Sequence, residues 1–292
     1  MSTPVQAPER VEITCADGTV LAGHFVTAAP GVDTGRPLPV LVCPATGVRQ
    51  QFYLRFAAWL AEHGHDVLVF DYRGVGLSLQ GPLKTCRATL AEWGQQDQVA
   101  ALDWLLARTG QPQVLLVGHS AGGQMIGLLP NHDRIARVVG VAASTGWFKG
   151  MRPGFRMQAN LAFRAFIPLG IRLKGYAPCS RLGLGEDLPA AVATQWGQWC
   201  AAGGYATNAV KRQPDRDFHA AVRTPVTVFH ATDDDIATPA TVADLMRTWP
   251  QADKRVVRVS PREHGLKAIG HINWFRSSHQ ALWPLIGQAL RG

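Results

Sequence analysis

The sequence predicts an α/β fold in which a mostly parallel central sheet is flanked by helices and carries an inserted helical cap. Short continuous apolar runs, typical of strands buried on both faces, alternate with amphipathic helical patterns through most of the chain. This alternation stops between residues 147 and 218 and then resumes. We therefore expect one core formed by residues 1–146 and 219–292, with a cap formed by residues 147–218, rather than two independent halves.

The N-terminal part of the chain supplies a hairpin and then alternating strands and helices. Two segments on either side of the turn Ala16-Asp17-Gly18 predict the hairpin. Gly64 closes a segment whose apolar residues recur at helical spacing, and a long amphipathic pattern follows further on. The predicted elements are strands at 11–14 and 20–27, a Gly- and Pro-rich surface loop at 28–39, a strand at 40–43, a helix at 52–63, a strand at 66–70 and a helix at 89–108.

A turn with two glycines, Asp71-Tyr72-Arg73-Gly74-Val75-Gly76, follows the strand at 66–70. Such glycines are also found in phosphate-binding loops. The third glycine of a dinucleotide fingerprint is missing here, and no acidic residue stands at the expected distance. We therefore interpret this segment as a structural turn in which Asp71 and Arg73 brace the loop near the functional site.

The next strand ends in a motif that carries chemistry. Residues 114–117 are a continuous apolar run, and Gly118-His119-Ser120-Ala121-Gly122 directly after them spells G-x-S-x-G. Residues 123–129 then predict the first turns of a helix. A strand, a sharp turn and a helix in this order indicate a serine presented at the edge of the sheet, although a plain turn between strand and helix would give the same pattern.

A serine in this position meets the requirements of a nucleophile. Its hydroxyl is weak by itself, so it must stand exposed beside a base and close to backbone N–H groups that bind the developing oxyanion. The tight turn brings backbone segments close together, which requires small residues such as Gly118 and Gly122. We therefore take Ser120 as the candidate nucleophile.

The C-terminal part of the chain completes the sheet around the insertion. Residues 147–218 contain Gly, Pro, aromatic and basic residues, and Trp196 and Trp199 share a helix face there. We expect this cap above the carboxyl edge of the sheet, where ligands bind in open α/β folds. It either packs simply against the core or forms an apolar lid that touches a membrane. The remaining predicted elements are strands at 138–143, 226–230 and 256–259 and helices at 238–249 and 274–290.

A carboxylate that orients the base is expected after a strand that follows the nucleophile. Asp233, Asp234 and Asp235 come directly after the strand at 226–230, which is the right place. Three adjacent carboxylates repel one another. Exposure on a solvated turn explains the presence of one or two of them, but the third requires another explanation.

The base is expected closer to the C-terminus. His271 lies on a loop with a preceding glycine at the entrance to the last helix, which makes it the preferred candidate. His264 is the alternative, and His279 is expected to face outward. His119 is a poor candidate because neighbouring side chains on such a turn point away from each other.

Charge and cysteine content restrict which partners, disulfides and metal sites the sequence predicts. The formal net charge is +8, but the basic residues are scattered and no nucleic-acid-binding motif is visible, so we expect no nucleic-acid partner. The five cysteines contain no C-x-x-C pair, which argues against a disulfide framework or a metal site. With no signal peptide and no apolar run that could span a membrane, we expect a cytoplasmic protein without stable membrane insertion. The sequence leaves a homodimer open.

These motifs together resemble the α/β-hydrolase superfamily over nearly all of residues 11–146 and 222–290. The resemblance rests on GHSAGG, DYRGVGLS, ATDDDIATP and IGHINWF, and PATGVRQQFY with FAAWLAEHG narrows it to bacterial predicted serine hydrolases of undefined substrate. It implies a Ser-Asp-His triad in which Asp234 matches the acid, with Asp233 as the fallback. It also implies an oxyanion hole formed by the backbone N–H groups of Thr46 and Ala121.

Two positions depart from the family pattern. Pro44-Ala45 replaces the usual His-Gly of the oxyanion loop, and Ala231 replaces the usual Gly of the acid loop. Neither change removes the backbone donor at Thr46, although both concern the geometry of the site.

The predicted activity is that of a serine hydrolase. Ser120, Asp234 and His271 would cleave a carboxylic ester or thioester with an apolar acyl part, because the cap is aromatic and aliphatic. Such an enzyme acts on a small-molecule acyl substrate and needs no cofactor or metal. A peptidase for small peptides and an acyltransferase are the nearest alternatives, and a non-catalytic binding module on the same fold is the alternative of another class.

Overall fold

The computed structural model describes residues 7–29 and 37–292. Most of the loop predicted at 28–39, and residues 1–6 at the N-terminus, lie outside the described residues. In the described part, eight strands form one sheet in the order β1-β2-β4-β3-β5-β6-β9-β10, and two short strands pair separately. The strands are β1 Glu9–Thr14, β2 Val20–Val26, β3 Val40–Cys43, β4 Val67–Phe70, β5 Val114–His119, β6 Ile135–Val141, β7 Tyr176–Ala177, β8 Leu188–Pro189, β9 Val226–Ala231 and β10 Lys254–Val259.

The sheet confirms the predicted α/β class. Only the pairs β1–β2 and β2–β4 are antiparallel, and all the other neighbours in the large sheet run parallel. Every residue of β3, β4, β5 and β9 is buried. Strands covered on both faces are largely apolar, as β3 and β4 are throughout, although β9 also buries Thr227 and His230.

Helices cover both faces of the sheet and form the segment between β6 and β9. They are α1 Leu54–Glu62, α2 Leu90–Glu92, α3 Val99–Thr109, α4 Pro153–Leu161, α5 Ile167–Lys174, α6 Ala190–Ala202, α7 Thr207–Val210, α8 Pro239–Met246 and α9 Trp283–Arg291. A π-helical stretch, Trp93–Gln98, joins α2 to α3, so the helix predicted at 89–108 is present with one wider turn. Thr89 and Glu92 close its N-terminus with reciprocal hydrogen bonds.

The helix predicted at 123–129 is wrong. The chain instead forms two short 3₁₀ turns, Ser120–Gly123 and Ile126–Leu128. Gly123 and Gly127 weaken any helix in this stretch. In addition, the backbone N–H of Phe218 donates to the carbonyl of Gly127 at 2.9 Å and so takes an acceptor that a continuing helix would use.

The closing helix predicted at 274–290 begins later than expected. Two 3₁₀ segments, Asn273–Phe275 and Ser277–Leu282, come first, and His279 inside the second has non-helical angles. The α-helix then starts at Trp283, with Pro284 in its first turn. Proline fits the first turn of a helix but not its interior, so it marks the start of the helix here.

Residues 147–218, called the insertion below, add no strand to the large sheet. They contain helices α4 to α7 and the small antiparallel pair β7–β8, which packs against α5 and α6. The insertion contacts loops at the carboxyl edge of the sheet. The N–H of Glu186 donates to the carbonyl of Gly47 at 2.7 Å, and Arg152 pairs with Asp235 at 3.3 Å. Over the described ranges, no helix combines the length and apolarity needed to cross a bilayer.

Candidate active site

Ser120 directly follows β5 and has a backbone conformation that residues other than glycine rarely adopt. Its φ is +48°, and it is one of the few non-glycine residues with positive φ among those described. The strand before it is fully buried, whereas Ser120 itself keeps partial exposure. A buried strand that stops in a strained turn holds the hydroxyl at the edge of the sheet, and such strain is typical of functional positions.

The two glycines of the motif are required by close backbone approach. A Cβ at Gly118 would collide with the backbone of Gly123, and one at Gly122 would collide with the carbonyl of Cys43 at the end of β3. Neither neighbour is the flexible end of a side chain, so neither is free to move aside. The turn therefore packs directly on the adjacent strand, which fixes the position of Ser120.

His271 and Asp234 lie in line with Ser120. The Ser120 hydroxyl is 2.9 Å from Nε2 of His271, and Nδ1 of the same ring is 2.8 Å from Oδ2 of Asp234. An ionised carboxylate only accepts, so Nδ1–H donates to Asp234 and Nε2 accepts from the serine O–H. The structure thus brings together three residues that lie far apart in the sequence, in an arrangement able to take the serine proton and stabilise the resulting imidazolium.

Asp234 is held as an ionised group although it is buried. Burial by itself raises the pKa of Asp234, but the electrostatic interaction and hydrogen bond with His271 and two backbone donors outweigh it, and the pKa lies below its usual value. The donors are the N–H groups of Ile236 and Ala237, at 2.8 and 2.9 Å from Oδ1. An ionised Asp234 orients the imidazole of His271.

The two neighbouring aspartates have different partners. Asp233 accepts from the N–H groups of Ile269 and Gly270 at 2.9 and 3.0 Å, so it holds the loop that carries His271. Asp235 faces the other way, toward Arg152 of the insertion. Three adjacent carboxylates are accommodated because each has its own donor set, and only Asp234 contacts the imidazole of His271.

A second hydrogen-bonded chain, not foreseen from the sequence, runs through His119. Its Nε2 lies 2.9 Å from the backbone carbonyl of His271, which only accepts, so Nε2 carries the proton. Nδ1 then accepts from the hydroxyl of Tyr53 at 2.8 Å, and the Tyr53 oxygen accepts from the N–H of Ala45 at 2.9 Å. Burial, reinforced by the nearby His271, lowers the pKa of His119 to about 3. A neutral His119 therefore links the loop of His271 to the loop after β3.

The predicted oxyanion residues lie on neighbouring strand ends. Ala121 follows Ser120 in the first 3₁₀ turn, and Thr46 lies in the loop after β3, whose last residue Cys43 pairs with Gly118. Both residues are buried. The side chain of Tyr205, in the insertion, lies close to that of Thr46. The roles of these two backbone N–H groups stay a prediction.

The alternative bases lie elsewhere. His264 belongs to the 3₁₀ turn Pro261–His264, and His279 bonds to the carbonyl of Ala268 at 2.8 Å. The contact to Ser120 comes from His271. In the described residues, no cluster of three or more His, Cys, Asp or Glu side chains has the arrangement of a metal site.

The turn at 71–76 is braced by its own side chains. Asp71 accepts from the N–H groups of Gln50 and Leu77 at 2.8 and 2.9 Å. Arg73 pairs with the buried Asp97 at 2.6 Å. Because Gln50 lies just after the loop of Thr46, the Asp71 contacts support the same edge of the sheet that carries Ser120.

Comparison with known proteins agrees with this fold. A family model described as alpha/beta hydrolase fold matches residues 39–267. The chain is 30% identical over 181 residues to Lipase 3 of Drosophila melanogaster, covering 55% of this chain and 43% of that protein. It is 30% identical over 120 residues to the uncharacterized protein YfhR of Escherichia coli, covering 40% of each. The chain thus spans less than half the length of these curated relatives.

Two solved structures cover nearly the whole chain. The esterase Pf2001 of Pyrococcus furiosus has a TM-score of 0.60 at 14% identity, covering 98% of this chain and 91% of that one. A soluble variant of monoglyceride lipase from Saccharomyces cerevisiae, in complex with a substrate analog, has a TM-score of 0.68 at 16% identity, covering 97% and 95%. At these identities the likeness concerns the fold.

Proposed function

The chain belongs to the α/β-hydrolase fold family, and on that premise we propose that it is a serine hydrolase that cleaves a carboxylic ester or thioester with an apolar acyl part. The observation that carries the proposal is the continuous contact from Ser120 through His271 to Asp234, with atom separations of 2.9 and 2.8 Å. A serine that only fills space in the fold does not require an ionised, buried aspartate hydrogen-bonded to the far side of the histidine that it contacts.

In the proposed reaction the Ser120 oxygen attacks the carbonyl carbon while its proton passes to Nε2 of His271. Asp234 holds the ring in the tautomer that accepts this proton and stabilises the imidazolium. The N–H groups of Thr46 and Ala121 would bind the oxyanion. The imidazolium then protonates the leaving alcohol or thiol, and water hydrolyses the acyl-enzyme by the same steps in reverse.

We further propose that the insertion is a cap over this site. Its contacts support this role, because Glu186 bonds to Gly47 next to Thr46, while Arg152 reaches both Asp235 and the carbonyl of Thr232 in the acid loop. The rings of Phe148, Phe163 and Trp196 pack together inside it. An aromatic and aliphatic cap favours an apolar acyl group.

Labelling with a fluorophosphonate probe tests the proposal. We expect wild type to be labelled and Ser120→Ala to remain unlabelled, with labelling of His271→Ala slowed by on the order of 10³-fold or more. Ser278→Ala removes an exposed serine and should be labelled like wild type. If Ser120→Ala is still labelled, Ser120 is not the nucleophile. If folded wild type is not labelled, a non-catalytic binding module is the better interpretation.

A substrate panel then separates the related activities. Rates on esters and thioesters of increasing acyl length, compared with short peptides, distinguish an esterase or thioesterase from a peptidase. Product analysis with and without an added alcohol acceptor identifies an acyltransferase, because a cap that excludes water lets the alcohol compete. We expect hydrolysis of apolar esters or thioesters to be fastest and free acid to remain the main product.

A further inference from the structure

The insertion carries most of the net positive charge of the chain. Ten Lys and Arg residues and four Asp and Glu residues fall in 147–218, so this segment accounts for +6 of the formal net charge of +8. From residue 148 to residue 185 there are seven basic residues and no acidic one. The basic residues are spread along the sequence, but acidic residues are few in the insertion, so the net positive charge is concentrated there.

The same segment exposes large apolar side chains. A π-helical stretch, Ala162–Phe166, joins α4 to α5 into one continuous helix over 153–174, which measures about 30 Å. Four long apolar side chains on this helix are mainly exposed: Met157 at 72%, Leu161 at 68%, Leu169 at 56% and Leu173 at 73%. An array of this kind on a surface helix marks an interaction site more often than chance exposure does.

The π turn aligns these side chains. Met157 and Leu161 are four residues apart, as are Leu169 and Leu173, so each pair lies on one side of its own helix. Leu161 and Leu169 are eight residues apart, which in a pure α-helix would set them about 80° apart around the helix axis. A π turn takes about one additional residue per revolution, so both pairs return to the same side.

The opposite side of this helix already has its partners. Ile167 is buried, and the ring of Phe163 packs edge-on against Trp196 at 4.9 Å. A Cβ at Gly170 would collide with Pro178, so the helix lies close to the rest of the insertion there. The exposed apolar side is therefore a second face of the helix and not a core face turned outward.

Arginines accompany the exposed apolar side chains. Arg156, Arg164 and Arg172 are all exposed, and within the described residues none of them forms an ion pair. We define the outer face as these three arginines together with Met157, Leu161, Leu169 and Leu173. A helix that combines apolar side chains with unpaired cations has the composition of helices that lie in the interfacial layer of a membrane.

We propose that the outer face docks on the surface of a membrane rich in anionic lipids. The aliphatic side chains would enter the boundary between headgroups and acyl chains, and the arginines would bind lipid phosphates. Attachment of this kind is peripheral and does not require a spanning helix. A second copy of the chain is a poor partner for the same face, because two such faces would bring unpaired arginines against each other.

Vesicle flotation of the full chain tests the proposal. The vesicles are phosphatidylcholine alone or phosphatidylcholine with one third phosphatidylglycerol. At about 0.1 M salt we expect partitioning onto the anionic vesicles to exceed that onto the neutral ones by at least about tenfold. At about 1 M salt most of this difference should disappear, because the Debye length falls to about 3 Å. Equal or absent binding to the two vesicles at low salt would overturn the proposal.

Variants separate the two components of the face. Arg156→Gln, Arg164→Gln and Arg172→Gln combined should weaken binding to anionic vesicles by on the order of a hundredfold. A matched control removes three exposed arginines elsewhere and should bind within about threefold of wild type, since charges farther than a Debye length from the surface contribute little. The control changes are Arg10→Gln, Arg223→Gln and Arg262→Gln.

The apolar variant distinguishes a lipid surface from a polyanion. Replacing all four aliphatic side chains with Gln should weaken vesicle binding by at least about tenfold. The control pair, Leu77→Gln and Val256→Gln, removes exposed apolar side chains outside the insertion and should have no effect. If the apolar variant binds like wild type, the face recognises polyanions such as nucleic acid or an acidic protein, and the lipid proposal is wrong.

A folding control and a Ser120→Ala control accompany the vesicle experiments. Circular dichroism and thermal unfolding show that each variant is folded, and substitutions on an exposed face are expected to leave both unchanged. Ser120→Ala should bind vesicles like wild type, because docking does not use the proposed chemistry. Vesicle binding without fluorophosphonate labelling, or labelling without vesicle binding, would therefore separate the failure of one proposal from the failure of the other.

Discussion

The sheet edge around Ser120 and the insertion distribute polar and apolar side chains in opposite ways. Around Ser120, groups such as His119 and Asp234 are buried, and each is held by several hydrogen bonds. The insertion, all of which is described, buries no charged, amide or histidine side chain and leaves Leu161 and Leu173 in solvent. Buried polar groups require fixed hydrogen-bond geometry, whereas a contiguous patch of exposed apolar side chains indicates a surface that binds a partner. We therefore expect substitutions at the sheet edge to alter activity and stability, and substitutions on the insertion to alter binding.

The largest expected difference lies within the three consecutive aspartates. Asp234→Asn should lower kcat/KM, or the fluorophosphonate labelling rate, by about 10⁴-fold, because the ring of His271 loses the tautomer that accepts the serine proton. Asp235→Asn should change the rate by less than about twofold, since an exposed ion pair with Arg152 contributes little. Asp233→Asn should fall between them, because it loosens the loop of His271 without touching the imidazole.

The ranking of the three variants is what decides the assignment. A loss in Asp233→Asn greater than in Asp234→Asn would make Asp233 the acid, as the fallback assignment from the sequence has it. A large loss in Asp235→Asn would mean that the attachment of the insertion through Arg152 controls the chemistry, and the contrast between the two regions would not hold.

Stability should show the second largest difference, at two glycines. Gly122→Ala places a Cβ against the carbonyl of Cys43, so we expect the free energy of unfolding to fall by about 3 kcal/mol or more. Gly154 lies in α4 of the insertion with open space around the position of a Cβ. Gly154→Ala should therefore raise the free energy of unfolding by about 0.5 kcal/mol. Urea unfolding measures both, and equal effects at the two sites would contradict the close packing of the turn on β3.

Parts of the candidate site can be predicted from local sequence patterns. Gly118, Ser120 and Gly122 are close in sequence and obey local steric rules, so the sharp turn was predictable from its pattern. His271 is the candidate base because a glycine-freed loop near the last helix is a recognisable place for one. The choice of Asp234 as the candidate acid depends on the resemblance to a known family, since nothing in three consecutive aspartates distinguishes the one that contacts His271.

Other features depend on contacts that the sequence does not display. The helix predicted at 123–129 is absent partly because Phe218, far along the chain, bonds to Gly127. The contact of His119 with Tyr53 joins positions 66 residues apart. The outer face of the insertion depends on a π turn that brings Leu161 and Leu169 to the same side, and local patterns at α-helical spacing miss such a turn.

The smallest of the expected effects concerns pH and His119. The insertion contains no histidine, so an effect of histidine protonation on stability arises in the core alone. Burial lowers the pKa of His119 to about 3 in the folded protein, whereas an unfolded histidine titrates near about 6.5. The unfolded chain therefore binds the proton more tightly. The free energy of unfolding is unaffected by this group above about pH 6.5 and falls as the pH decreases from there toward about 3.

Comparison of His119→Gln with wild type isolates this contribution. Wild type should lose about 2 kcal/mol more of its free energy of unfolding between about pH 7 and pH 5 than the variant does, because all other groups titrate in both proteins. Urea unfolding at the two pH values gives the difference, and any change that the substitution makes in absolute stability cancels from it. Equal losses of the free energy of unfolding in the two proteins would mean that His119 takes up its proton in the folded state. The hydrogen-bonded chain from Ala45 through Tyr53 to the loop of His271 would then not exist in solution, since a protonated Nδ1 no longer accepts from the tyrosine hydroxyl.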